Sequence, residues 1–432
     1  MAQFRKDTHQ FLNDGRTIFE TVMLADQYGN IVGAANPSGM AVDAFGRARV
    51  SSPLTLFDSY NRYDVSEKFN TSNTATGTYV FSANAATVSL NVDTTSDAEV
   101  IRESKRVFAY QPGKSLSILN TFVMNEPKEN LRQRAGYFSS QNGIFLEQDD
   151  TTISFVKRSY STGSIEEEKV SQDNWNIDKL DGTGPSQLTL DLTKAQILFI
   201  DVEWLGLGTV RCGFVINGQL IHCHSFHHAN IIDGPYMTTA CLPVRYEIKN
   251  TGATSSNSTL KTVCSSVVSE GGYDIRGKPR SVGRLANNTF TMVSAGVWYP
   301  IVSIRLKSSQ IDAIVLPKGA SVLGEGNNSR VKYGFISGGT LGGNTTFTAV
   351  SSDSSVEYNY VANSITGGTI LSQGFLGVTN QSSGGVKLDG DMFKYQLTRN
   401  SFTSTPEIFT LAMQAGTAND TGTGSLDWEE IT

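Results

Sequence analysis

Charged side chains are scarce in this 432-residue chain. Asp, Glu, Lys and Arg make up 18% of it, against about 25% in an average soluble domain. Their balance is slightly acidic, 35 Lys and Arg against 41 Asp and Glu, for a formal net charge of −6. That argues against the broad basic surface with which proteins neutralise nucleic-acid phosphates. The four cysteines, Cys212, Cys223, Cys241 and Cys264, form no CxxC pair. Lying inside strand-like runs, they read as buried free thiols, with disulfide pairing left open. No apolar run approaches the roughly 18 residues of a membrane span, and Met1 to Asp7 hold no apolar stretch of a secretory signal. The expectation is a protein made in a cytoplasm and not exported by the general pathway, with neither membrane nor nucleic acid as partner. Catalytic signatures are missing as well. There is no GxSxG, no HExxH and no phosphate-cradling loop, and the glycine pairs lie between strands, as turns do.

What fills the chain is Gly, Ser, Thr and Asn, the composition of strands joined by tight turns. Leu188 to Asn230 is the clearest stretch. Leu188–Leu192 alternates apolar and polar, and Ile197–Trp204 is near-continuously apolar, as in a strand covered on both faces. Thr209–Ile216 and Gln219–Phe226 flank Asn217-Gly218, the preferred dipeptide of a type I′ hairpin. Further strands are expected through Tyr79–Phe81, Ala86–Val92, Arg106–Tyr110, Lys114–Met124, Ala135–Phe138, Gly143–Glu147, Thr152–Val156, Pro243–Lys249 and Leu260–Ser269. Residues 159–187 read as a long surface loop. After a glycine- and arginine-rich stretch, Glu270–Leu285, eight more short strands follow, among them Phe393–Leu397 and Glu407–Met413. The chain is therefore expected to be all-β: an extended N-terminal arm over 1–62, a jelly-roll-like β-sandwich over 63–280 and a second, smaller β-sandwich over 281–432. The apolar residues of the arm are too sparse for a core of its own.

Few clusters carry chemistry. Four of the five histidines, His222, His224, His227 and His228, surround Cys223. With side chains alternating along a strand, His222 and His224 point to one face. Three such pairs about a threefold axis would offer six nitrogens to a transition metal. The plainer reading is a polar strand end whose histidines hydrogen-bond or stack, favoured because no carboxylate or second Cys/His pair lies nearby in sequence. Asp201 and Glu203 share a face at i, i+2 and form a candidate acid/base pair, one of many such pairs that chance supplies. Trp175, Tyr160, Trp298 and Tyr299 can stack on sugar rings or pack internally. The short basic spots Lys105-Arg106, Lys157-Arg158 and Arg276–Arg284 read as loop solvation or subunit contacts.

Two phrases, GMAVDAFGRARVSSPLTLFDS at Gly39–Ser59 and VEWLGLGTVRCGFVINGQLIHCHSFHHAN at Val202–Asn230, resemble structural proteins of tailed bacteriophages, particularly those of cyanobacterial and marine hosts. The resemblance covers the first two thirds of the chain and implies a virion component. It fixes neither the place in the particle nor any catalytic residue; the expectation drawn with it is a non-enzymatic homo-oligomer without a cofactor, a trimer by preference, bound to other virion proteins on the tail, baseplate, neck or head. On this reading Phe45, Val50, Leu54, Leu56 and Phe57 anchor the arm on a neighbouring subunit. The second sandwich then faces outward on an acidic, solvated tail, Asp427-Trp428-Glu429-Glu430. A host-surface glycan receptor function is the alternative. A depolymerase ranks last, because the short repeats of a β-helix are missing.

Overall fold

A computed structural model describes residues 24–25, 31–32, 53–284, 288–325, 329–378, 381–387 and 392–431. Its regular structure is strand, with three short 3-10 turns. The expected all-β, jelly-roll-like fold is what the chain adopts.

Two antiparallel sheets make the first sandwich. One runs, edge to edge, Glu166–Ser171, Thr152–Ser159, Gly143–Asp149, Leu131–Phe138, Val244–Asn250, Glu99–Ser104 and Phe69–Thr74. The other runs Gln219–Phe226, Val210–Ile216, Gln196–Val202, Ser115–Val123, Ser258–Glu270, Thr87–Val92 and Thr78–Ser82. Their facing side chains form one core, in which the rings of Phe155, Trp175 and Phe214 pack tilted against one another. Asn217 and Gly218 have φ of 53° and 75°, the double positive φ that the type I′ turn requires.

The arm differs from expectation. Leu54–Tyr60 is the eighth strand of the second sheet and pairs with Ser258–Glu270. Leu56 and Phe57 are buried in the core of their own chain, Phe57 against Phe69 and Phe108, and Leu54 packs beside them. These three residues therefore do not await a neighbouring subunit. Alternation marks a strand but not the chain that supplies its partner, here some 200 residues away. Phe45 and Val50 lie outside the described residues.

Residues 159–187 are not all loop, because Glu166–Ser171 closes one edge of the sheet. Arg106–Tyr110 forms no strand, although Val107–Tyr110 is buried and Phe108 N donates to the Leu242 carbonyl (3.2 Å), and Leu188–Leu192 contributes only a bridge, Asp181 to Thr189. In both, the apolar residues are satisfied by burial without a ladder.

Lys278–Gly283 pairs with Asp420–Ile431, so the second sandwich begins before residue 281. Its five-stranded sheet runs Lys278–Gly283, Asp420–Ile431, Ile314–Glu325 and Gln381–Lys387, with Phe290–Met292 also on Asp420–Ile431. The six-stranded sheet runs Thr348–Ala349, Val356–Asn359, Trp298–Leu306, Phe409–Gln414, Ser329–Ser337 and Thr369–Val378. The expected solvated tail is a central strand. Trp428 and Glu430 are fully buried, and the Glu430 carboxylate accepts from Ser354 Oγ (2.6 Å), Ser355 N (2.9 Å) and Trp428 Nε1 (3.0 Å). Four hydrogen-bonding residues close in sequence looked solvated; alternation within the strand instead turns the Trp and one Glu inward.

The sandwiches are joined by buried contacts. Phe393, expected in a strand, sits in the 3-10 turn Met392–Tyr395 and packs in the core of the first sandwich. Arg399 reaches across to Glu103 Oε1 (3.2 Å) and the Ser104 carbonyl (2.8 Å), with its Nε on Asp312 (2.9 Å).

Glu103 ends a ladder of charge on the outer face of the seven-stranded sheet. Arg245 Nη1 donates to Glu103 (2.7 Å) and its Nε to Glu247 (2.6 Å). Arg134 donates to Glu247 (3.2 Å) and Glu147 (2.6 Å), and Arg158 to Glu167 (2.8 Å). The guanidinium groups of Arg134 and Arg158 lie over Phe145, 5.1 and 4.9 Å from its ring centre. Gly136 sits opposite Phe145 because a Cβ there would meet the Phe145 backbone at 2.6 Å. Burial works to raise the Glu247 carboxyl, but Arg245, Arg134 and Arg158 outweigh it and bring it down to about 2. Charges this buried survive only because they are paired.

Candidate functional site

The histidine-rich end of Gln219–Phe226 does not form the expected pair. Cys212 lies opposite His224 and Gly213 opposite His222, which leaves Cys223 as an extra, bulged residue. A bulge breaks the period of two. His222 shares a face with Phe199 and meets its ring edge-on at 5.7 Å, whereas His224 shares the Cys212 face and meets Phe226 at 4.5 Å. The sheet separates the two imidazoles, so they cannot ligate one ion together. Among the described residues no three His, Cys, Asp or Glu side chains gather as a metal site.

The histidines instead brace the loops. Asn176 N donates to His224 Nδ1 (3.3 Å), while the Asn176 amide exchanges two hydrogen bonds of 2.9 Å with the Ser225 backbone. The Cys223 carbonyl accepts from Ile177 N and Asp178 N, so residues 176–178 cover what would be an open sheet edge. His228 is buried and stacks on Tyr236 with ring centres 3.9 Å apart and planes at 7°. Its Nδ1 lies 2.6 Å from the Gly208 carbonyl, which can only accept. Nδ1 therefore carries the proton, and Nε2 accepts from Lys157 Nζ at 3.2 Å. Burial is the main cause that lowers both His224 and His228, to about 4.

This bracing interlocks two turns. Tyr236 N donates to the Gly206 carbonyl (3.0 Å), Gly208 N to Trp204 (2.7 Å) and Tyr236 Oη to Glu203 (3.3 Å). Leu205 N donates to Tyr110 Oη at 3.2 Å, and Leu205 holds φ of +40°, a left-handed conformation costly for a branched side chain. Leu205 and Leu207 on one turn, and Ile231 and Ile232 on the other, are exposed by 53, 41, 68 and 36%. Turn residues are ordinarily polar, so four large exposed aliphatics on two adjoining turns stand out as an apolar surface. The histidines beside these turns were singled out in the sequence. The leucines that flank Gly206 were the signal for the surface.

The other candidates fall elsewhere. Asp201 and Glu203 are buried, Asp201 beside Arg211 (3.9 Å) and Glu203 beneath Tyr236. Trp175 and Tyr299 are core, and the half-buried Trp298 carries Lys332 Nζ over its ring at 5.3 Å.

No protein-family model matches the chain, and no curated protein matches it. Among solved structures it is similar to the CBM2 module of the evolved Dit of Lactobacillus casei BL23 phage J-1, at 7% identity and a TM-score of 0.33, over 52% of this chain and 98% of that one. It is also similar to a legume lectin-like domain from Entamoeba histolytica, at 11% and 0.30, over 50% of this chain and 98% of that one. A Bacillus licheniformis β-glucanase scores alike, at 9% and 0.30, over 50% and 97%. Likeness this distant carries no argument about activity.

Proposed function

We propose that this protein is a structural subunit of a tailed-bacteriophage virion that works by non-covalent assembly with copies of itself, three about an axis, and with other virion proteins. The two sequence phrases support the virion reading. The observation that carries assembly is the set of exposed aliphatics, Leu205, Leu207, Ile231 and Ile232, on turns held rigid by His228 and Tyr236. Covering the exposed part of four such side chains is worth on the order of 4 kcal/mol, and about twice that when two copies contribute equally. Before the cost of association this corresponds to roughly micromolar binding. Such a contact is weak alone and strong when many are closed in a particle.

Light scattering on the full-length protein is the first test. Self-association at high protein concentration, weaker than micromolar, that is lost in Leu205→Asp/Ile231→Asp, with unchanged circular dichroism, supports the reading. A monomer at all accessible concentrations that also fails to join particles overturns it.

A further inference from the structure

A cleft of about 720 Å³ opens between the two sandwiches, a volume suited to a small ligand. Its lining is unequal in charge, with Lys68, Arg102, Lys105, Arg106 and Lys394 against Glu67 and Glu407. Some of these are already engaged. Lys68 pairs with Asp58 and Lys105 with Glu407, and Arg106 donates to the carbonyls of Phe393 and Lys394. Arg102 is different. It is 1% exposed, its Nη1 donates to Thr71 Oγ1 at 3.1 Å, and its guanidinium lies over the Phe69 ring at 4.5 Å. Among the described residues its Nη2 has no hydrogen-bond partner and no carboxylate pairs with it. A buried guanidinium without an anion is costly, and every other buried arginine described above, in the ladder or at the junction, has a carboxylate partner.

We propose that the cleft binds an acidic saccharide, whose carboxylate or sulfate is received by Arg102 at the cleft floor with Lys394 at its rim. The floor supplies the charge-assisted fork that such groups accept. The walls supply what the rest of a sugar needs: the amide oxygens of Asn70 and Gln396, whose nitrogens already donate to the Arg399 and Val107 carbonyls, hydroxyls such as Thr369, and the rings of Tyr79 and Tyr395. The site is separate from the assembly surface and does not depend on it.

Calorimetric titration of the full-length protein with sodium glucuronate, glucose 6-sulfate and glucose tests this. Binding of either acidic sugar with none of glucose supports the site, and whichever anion binds tighter identifies the group. Arg102→Met removes an unpaired buried charge, so it should raise the melting temperature while weakening binding by about tenfold or more. That opposition separates a lost ligand contact from a lost fold. Lys394→Ala, at an exposed position, should weaken binding by about threefold. No binding of either acidic sugar, or binding undiminished in Arg102→Met, overturns the proposal.

Discussion

His228 and Tyr236 stack face to face, 3.9 Å apart and 7° from parallel, and this pair ties the turn after Phe226 to the turn after Val202. His228→Ala would strip the Gly208 carbonyl and Lys157 of a partner and leave Tyr236 unsupported. A loss of about 1–3 kcal/mol is expected from the unpaired groups, measured by urea denaturation. Faster hydrogen exchange should be confined to residues 203–209 and 228–236; a uniform acceleration across the sandwich would refute the bracing role.

The same histidine makes stability depend on pH. His224 and His228 fall from near 6.5 to about 4 on folding, chiefly through burial, with Lys157 and His227 opposing charge on His228, Gly208 and Glu168 favouring it, and Glu168 favouring charge on His224. Between these values the unfolded chain binds more protons than the native one, so stability drops as pH falls from about 6.5 towards 4 and levels off below. At about 1.4 kcal/mol per unit for each group, the melting temperature should fall measurably between pH 7 and pH 5. His228→Gln, which cannot titrate, should flatten that slope. An equal slope in the variant would reject the assignment.

Leu205 is left-handed where glycine would be at ease. Leu205→Gly should therefore keep or raise stability by up to about 1 kcal/mol, while self-association weakens. Thermal melts and light scattering on one sample read both effects. A clear loss of stability would mean that the side chain serves the fold rather than a partner.

Glu247 accepts from two arginines and is held near 2 against burial. Glu247→Ala would leave Arg134 and Arg245 facing each other across a buried gap, at a cost of about 3–5 kcal/mol in chemical denaturation. In the parent protein the contribution of this carboxylate is complete above the ordinary glutamate value, near 4.5, and is lost as pH falls through that value towards 2.

Arg399 couples the two sandwiches through Glu103 and Ser104. With it the chain is expected to unfold in one calorimetric transition, and Arg399→Ala should split that into two as the junction loses its buried charge pair. A single unshifted transition in the variant would place the coupling elsewhere, in Phe393 and its apolar neighbours.

What the sequence determined by itself were the local signals. Alternating runs and the Asn217-Gly218 hairpin were enough for an all-β, two-sandwich chain, because turn geometry and side-chain period act between near neighbours. Three things were decided only in the tertiary structure, each for a reason of long range. Leu56 and Phe57 read as anchors for another subunit until Ser258–Glu270, some 200 residues on, supplied their partner strand. Asp427 to Glu430 read as a solvated tail until Ile314–Glu325 and Lys278–Gly283 enclosed it from both sides. His222 and His224 read as one face until a single bulged residue, Cys223, set them on opposite sides of the sheet. Period and composition state which residues prefer burial or a turn; pairing across the sheet decides where the register slips and which partner a strand meets.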